Sequence, residues 1–315
     1  MNRRDFLRTT ATGVAGSVAL RYGTKAAAKD PPIPIRTIDT HIHLYDPGRP
    51  QGVPWPHKEE TVLYKPHLPA DFHKIAEENG IFGAIIIEAS PWLEDNQWIL
   101  DLVKGDRMFL AFIGNLELGK PEFSANLQRF AANPLFRGLR IGGQAIADGL
   151  GRKEWEADFQ RLAEGNLTVD LLGNATMLPN ILQLVKIAPT LRMVIDHLPF
   201  VEWDHDLDAA KKALADFAST PNVFAKVSYV MHPADGKSGT DVEHVELYGK
   251  RMDLLREIFG PDRVIYGSNW PVSNLIAPYG IIHSVVANYF SGKGMEAAEK
   301  YFWRNAHAAY RWADQ

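Results

Sequence analysis

The chain has 315 residues, enough for one large domain or two small ones, and its 46% hydrophobic and 23% charged content suits a globular protein with a sizeable core. A net charge of −4, without a basic stripe interleaved with aromatics, excludes the footprint of a nucleic-acid binder and points to small-molecule partners. The absence of cysteine excludes disulfides, zinc–thiolate sites and a cysteine nucleophile.

Residues 1–30 stand apart from the rest. They carry paired Arg3 and Arg4, then Phe6 and Leu7, a weakly apolar stretch from Ala11 to Leu20, and a small-residue end at Ala26, Ala27 and Ala28. This pattern resembles a twin-arginine export signal, which implies the twin-arginine export machinery as a partner and a periplasmic or otherwise exported location. The apolar stretch is short and interrupted by Gly and Thr, and no run elsewhere approaches the ~20 residues of a spanning helix, so no membrane span is expected in the mature protein.

Beyond a linker containing Pro31, Pro32 and Pro34, residues 31–315 read as a single domain in which apolar runs alternate with helical patterns. The predicted strands are Ile35–His43, Gly83–Ala89, Met108–Leu116, Arg137–Gly142, Leu167–Leu172, Arg192–His197, Asn222–Val230 and Arg263–Asn269. Between them lie helical segments over Pro69–Asn79, Glu94–Val103, Pro121–Ala132, Lys153–Glu164, Leu178–Ile187, Leu207–Ala218 and Val242–Phe259. Residues 294–313 read as one C-terminal helix with Tyr301, Phe302, Ala306, Ala309 and Tyr310 on one face. Strand–helix alternation implies parallel pairing, and near-continuous apolar strands imply a sheet covered by helices. Eight such units in about 280 residues suit a closed (β/α)8 TIM barrel. An open doubly wound sheet would require a Gly-rich turn after the first strand, where Thr40-His41-Ile42-His43 stands instead. The Pro-, Gly- and Trp-rich segment 46–66 is a long loop of the kind that often carries function.

In a parallel barrel the chemistry belongs at the carboxyl ends of the strands. Those ends hold His41 and His43, Glu88, Asn115 and Glu117, Arg140, Asn174, Asp196 and His197, Ser228 and Tyr229, and Asn269. His41 and His43, two positions apart on a strand, point to the same side, an arrangement that suits zinc, manganese or another divalent metal. Glu88 is either a third metal ligand or the partner of a barrel cation. Arg140 either grips a substrate carboxylate or hydroxyl or pairs with Glu88 or Glu117. Lys226, inside an apolar strand, is expected to pair within the barrel, because an unpaired charge there is costly. Tyr229 and Trp270 stand beside Ser228 and Asn269 as further substrate contacts, and His232 follows the seventh strand closely enough to overhang the pocket.

Taken in order, IDTHIHLYDP, FRGLR, LRMVIDHLPF, VFAKVSYV, DRVIYGSNWPV and RNAHAAYRW resemble the amidohydrolase superfamily, and more narrowly its lactonase-type branch, over about residues 35–312. The resemblance implies a barrel hydrolase that opens lactones or related cyclic esters of sugar acids or carboxylated compounds. It maps His41 and His43 onto the HxH pair, His197 onto the strand-six histidine and Asn269 onto the strand-eight aspartate, the general base toward water. Some members of the branch work without a metal, so a divalent ion on His41, His43 and Glu88 and a metal-free site both stand open. The branch reads GSDWP where this chain reads GSNWP, and a carboxamide cannot accept a proton at neutral pH. Two other outcomes are therefore weighed: a metal-dependent decarboxylase or other lyase, and a barrel that binds a ligand without turnover.

Overall fold

The computed structural model describes residues 35–200, 203, 206–228 and 242–313. Residues 1–30, Tyr229 and His232 lie outside the described residues.

Eight parallel strands run in sequence order around a nearly closed barrel: β1 (Thr37–Ile42), β2 (Ile81–Ile87), β3 (Phe109–Gly114), β4 (Phe136–Gly142), β5 (Thr168–Leu172), β6 (Arg192–Ile195), β7 (Val223–Val227) and β8 (Val264–Tyr266). Each falls within or against a run expected to be extended. Helices α1 (Pro69–Asn79), α2 (Leu93–Leu102), α3 (Phe123–Ala131), α4 (Gly143–Gly149), α5 (Lys153–Glu164), α6 (Leu178–Ile187), α7 (Leu207–Leu214), α8 (Val242–Phe259) and α9 (Tyr279–Ser291) connect them. No helix among the described residues is long and apolar enough to cross a membrane.

The core has two layers, as a barrel requires. One cluster fills the space between sheet and helices, with Phe72, Phe112, Phe136, Phe159 and Phe217 among its fully buried rings. The other lines the barrel interior through Ile38, Ile85, Ile87, Ile113, Val194, Phe224 and Ile265, and is completed by Ala306, Ala309, Tyr310 and Trp312. Thr168 Oγ1 and Arg192 Nε both donate to the Ala309 carbonyl, each at 2.7 Å, so the C-terminal segment seals the barrel floor.

The seam between β8 and β1 is closed largely by side chains, because β8 is only three residues long. Asp39 is fully buried and accepts from the Ser268 amide at 2.8 Å, the His41 amide at 3.1 Å and the Tyr279 hydroxyl at 2.9 Å. The His43 amide donates to the Trp270 carbonyl at 2.8 Å, in register with an Ile42–Trp270 bridge. Gly267 permits this seam: a Cβ there would lie 2.8 Å from His41 Cβ and 3.0 Å from Ser228 Cβ.

Two elements differ from expectation. The C-terminal helix is interrupted by a wide π turn over Lys300–Arg304, between α10 (Met295–Glu299) and α11 (Asn305–Tyr310). That turn lets the consecutive rings of Tyr301 and Phe302 both bury, and the Asn305 carboxamide answers the carbonyls of Pro261 and Val264 at 2.9 Å. Helix α4, unforeseen in the glycine-rich stretch after β4, forms one wall beside the site.

Candidate active site

A cavity of about 400 Å³ opens at the carboxyl ends of the strands, lined by His43, Trp55, Glu88, Asn115, Arg140, His197 and Asn269 among others. The strands that deliver these side chains span half the barrel and more, so the convergence follows from closure rather than from nearness in sequence. His43 and Trp55 approach edge to face, with centroids 5.9 Å apart, which places the Pro- and Trp-rich loop over the site.

Two of the strand-end residues occupy left-handed backbone: His197 at φ 60 and Asn269 at φ 61. Among non-glycine residues, Asn, Asp and His enter this region most readily. Local bonds hold both turns. The His197 amide donates to Ser228 Oγ at 3.2 Å, with Ser228 Oγ also 2.9 Å from His197 Nδ1, and the Ser273 amide donates to the Asn269 carbonyl at 3.0 Å.

Beneath the cavity floor lies an ion cluster with no solvent exposure. Lys226 Nζ is 2.5 Å from Asp170 Oδ2, 3.0 Å from Asp196 Oδ1 and 3.4 Å from His41 Nδ1. Tyr310 donates its hydroxyl to Asp170 from below, at 2.9 Å to Oδ1. Burial pushes the Asp170 carboxyl up to about 7 against the pull of Lys226. Burial would likewise raise Asp196, but Lys226 and His41 together hold it well below the usual carboxylate range, so Asp196 is the ionised member. Lys226 thus pairs within the barrel, as an apolar strand demands.

The histidines are neutral. Burial lowers His41 well below its ordinary value despite the attraction of Asp196, lowers His197 to about 4, and together with the nearby Arg140 charge lowers His43 to about 3. His43 Nδ1 lies 3.0 Å from the Ile87 carbonyl, which only accepts; in the neutral ring Nδ1 therefore carries the hydrogen and Nε2 the lone pair. His41 packs against both other rings, 4.9 Å from His43 and 4.7 Å from His197 by centroid.

His41, Asp196 and His197 present ligand atoms within 4.8 Å of one another, a donor set suited to a divalent metal. The set passes a further test: His41 Nε2 and Asp196 Oδ2 are buried without a hydrogen-bond partner among the described residues, while Asp196 Oδ1 faces the Lys226 ammonium. Neutral imidazoles and an ionised carboxylate are the protonation states that ligation requires.

Two expected roles fall elsewhere. Glu88 does not join the metal-type group; its Oε1 accepts from Arg140 Nε and its carbonyl from Arg140 Nη2, both at 2.7 Å. A carboxylate engaged by a guanidinium fork is drawn toward the cation rather than toward the strand-six ligands, and Asp196 stands there instead. Trp270 does not line the cavity. It is 2% exposed, packed against His67 and Phe72 in the core, and Trp55 supplies the indole at the pocket. His43 lines the cavity but lies outside the metal-type group.

Residues 38–312 match the model of a family described as Amidohydrolase. This chain belongs to the amidohydrolase family. Among curated proteins, this amidohydrolase is 28% identical over 251 residues to an L-fucono-1,5-lactonase of Burkholderia ambifaria, covering 77% of this chain and 83% of that one. It is 26% identical over 178 residues to an L-rhamnono-gamma-lactonase of Scheffersomyces stipitis, covering 49% of this chain and 52% of that one. Its fold superposes on an amidohydrolase from Burkholderia multivorans crystallised with bound zinc, with a TM-score of 0.80 and 22% identity over 88% of this chain and all of that one.

Proposed function

We propose that this amidohydrolase opens the ring ester of a sugar-acid lactone, or of a related carboxylated lactone, by attack of water. The observation that carries this reading is the convergence of neutral His43 and His197 and the Arg140 fork at one cavity, with neutral His41 and ionised Asp196 grouped with His197 beneath its floor. The lactonase activities of its relatives support the same reaction class.

Arg140 positions the substrate. Glu88 engages two of its five N–H donors, and the remainder face the lactone carbonyl or a neighbouring carboxylate or hydroxyl. Asn269 orients water or the substrate oxygen but accepts no proton. His43 Nε2, held as an unprotonated acceptor by the Ile87 carbonyl, takes the proton from the attacking water and returns it to the ring oxygen as the C–O bond breaks, which leaves the hydroxy acid and regenerates the neutral imidazole. A base lowered to about 3 is available at any pH near neutrality, yet its driving force for proton transfer is small, so a slow hydrolase is expected. His41, Asp196 and His197 would hold a divalent cation, zinc or manganese, which when bound supplies Lewis-acid polarisation at the reacting oxygen. Asn269 itself favours one second reading, a barrel that binds a lactone or sugar acid without turning it over.

Acid release measured with a pH indicator tests both, across L-fucono-, L-rhamnono- and dicarboxylate lactones, with zinc, with manganese and with chelator. Hydrolysis above background that falls ~10²-fold in His43→Asn supports the assignment. Silence on every lactone, accompanied by a ligand-induced rise in Tm, establishes the binding barrel instead. Residues 1–30, through the Arg3–Arg4 pair, are further proposed to direct export to the periplasm, and Arg3→Lys/Arg4→Lys should retain the protein in the cytoplasm.

A further inference from the structure

A second and larger cavity, about 690 Å³, lies beside the first between the segments that follow β3 and β4. The two share Pro91, Asn115 and Arg140 in their linings, so they adjoin at these side chains. We infer that this groove is a subsite for a second sugar unit, and that the preferred substrate is a glycosylated aldonolactone rather than a bare one. The inference rests on the lactonase reading and deepens it.

The chemistry of the lining points to a neutral polyhydroxylated group. Glu117, Glu122 and Asp148 face Lys120, Arg140 and Arg152, so charge of both signs is present in balance and neither an anion nor a cation is favoured. Glu117 and Lys120 partly neutralise each other at 3.1 Å. The carboxamides of Asn115 and Asn126 add groups that donate and accept together. Carboxylates, amides and guanidinium forks match pairs of vicinal hydroxyls, each of which also donates and accepts. Of the apolar side chains among them, Phe123 and Trp155 are only 2% and 3% exposed while Leu93 is 37% exposed, so the reachable surface mixes polar groups with an apolar face, as the hydroxyl edges and C–H faces of a sugar ring require. Arg140 stands at the junction, with its fork tied to Glu88 on one side and its remaining donors shared between the two cavities. Binding energy gathered in the groove would be available to orient the ester at His43 and His197, where the reaction itself offers a weak base.

Gly142 provides the test. It lines the groove in extended backbone, φ −76 and ψ 150, and a Cβ added there meets nothing within 4 Å, so Gly142→Leu can fill the groove without straining the fold. Hydrolysis of gluconolactone is compared with that of cellobionolactone and maltobionolactone, which carry the same lactone with a glycosyl substituent. The wild-type protein is expected to show kcat/KM about tenfold or more higher for a glycosylated lactone, and Gly142→Leu to remove most of that ratio. Asn126→Ala should lower the ratio in the same direction. If gluconolactone is opened as well as or better than both glycosylated forms, or if Gly142→Leu leaves the ratio where it was, the subsite is refuted while the lactonase reading stands. If none of the three is opened at any protein concentration, the lactonase reading fails for aldonolactones, and the subsite fails with it.

Discussion

Lys226 Nζ stands 3.0 Å from Asp196 Oδ1 under the cavity floor, and neither side chain is exposed to solvent. The pair links the sheet interior to the site, since Asp196 is also 3.6 Å from His41 Nδ1. Removing the ammonium leaves Asp170 and Asp196 buried without a cation. Lys226→Met should therefore lower the unfolding free energy by ~3–5 kcal/mol, read from the urea midpoint. Adding Asp196→Asn should restore part of that loss, because Asp196 is the member of the pair that stays ionised. A single variant as stable as the wild type would show that the cluster does not carry the charge balance described here.

Asn269→Asp places a carboxylate at the position where the lactonase branch has its base. The φ of 61 at this residue is one that Asp tolerates about as readily as Asn, so the turn should persist. Because a positioned base contributes ~10²–10⁴ in rate, lactone hydrolysis at pH 7 should rise by at least about tenfold. The pH–rate profile should also gain an acid limb in the carboxylate range. A variant no faster on any lactone would mean that water activation in this barrel no longer passes through strand eight.

The planar fork of Arg140 is expected to be irreplaceable by a point charge. Arg140→Lys cannot reach both Glu88 Oε1 and the Glu88 carbonyl while still facing the cavity. Losing one charge-assisted hydrogen bond to substrate costs ~1.5–3 kcal/mol, so kcat/KM should fall by ~10–100-fold. Glu88→Gln, which keeps an acceptor at Oε1, should fall less. Steady-state kinetics on one lactone decides the order.

Acid should destabilise the protein through four histidines that burial keeps neutral, against a smaller opposite contribution from Asp170, whose carboxyl is held up to about 7. Burial holds His43 at about 3 and His67, His197 and His283 at about 4, below the ordinary 6.5. Between those values and 6.5 the unfolded chain binds more protons than the folded one, so stability rises with pH across this window. The contribution is complete above about pH 6.5 and is lost as pH falls through the window, at up to ~1.4 kcal/mol per unit for each histidine. Tm measured from pH 7 to pH 4 should drop steeply, and His283→Phe should flatten the slope without touching the site. A Tm constant down to pH 4.5 would contradict the burial of neutral imidazoles.

Much of the barrel could be read from the chain because its strands are short apolar runs separated by helical periodicity, and reactive residues collect where those runs end. His41, His43, His197 and Asn269 follow from that rule alone. The pairing of Lys226 inside the barrel was equally legible, since an apolar strand leaves a charge no other course, but its partners were not: Asp170 and Asp196 lie 56 and 30 positions away and meet it only on closure. Glu88 and Asp196 are both strand-end carboxylates, and which one faces the metal-type group depends on where the Arg140 fork points. Trp55 and Trp270 pose the same difficulty, because burial against Phe72 and His67 is a property of packing and leaves no mark in a local motif. Helix α4 was hidden by its flanking glycines, which favour a loop in isolation and are overridden here by the packing of Ile146.

The barrel floor also sets an order of assembly. Asp170 and Lys226 leave the ribosome well before Ala309 and Tyr310, whose carbonyl and hydroxyl close the open end beneath them. During synthesis the eight strands exist before their stopper does, and water reaches the Asp170–Lys226–Asp196 cluster from below. The low-dielectric surroundings that keep the imidazoles neutral, and against which Lys226 holds Asp196 ionised, are therefore completed late, by residues that never touch a substrate. Nascent chains halted anywhere between Asn269 and Ala309 would hold every residue of the site and still lack its electrostatics.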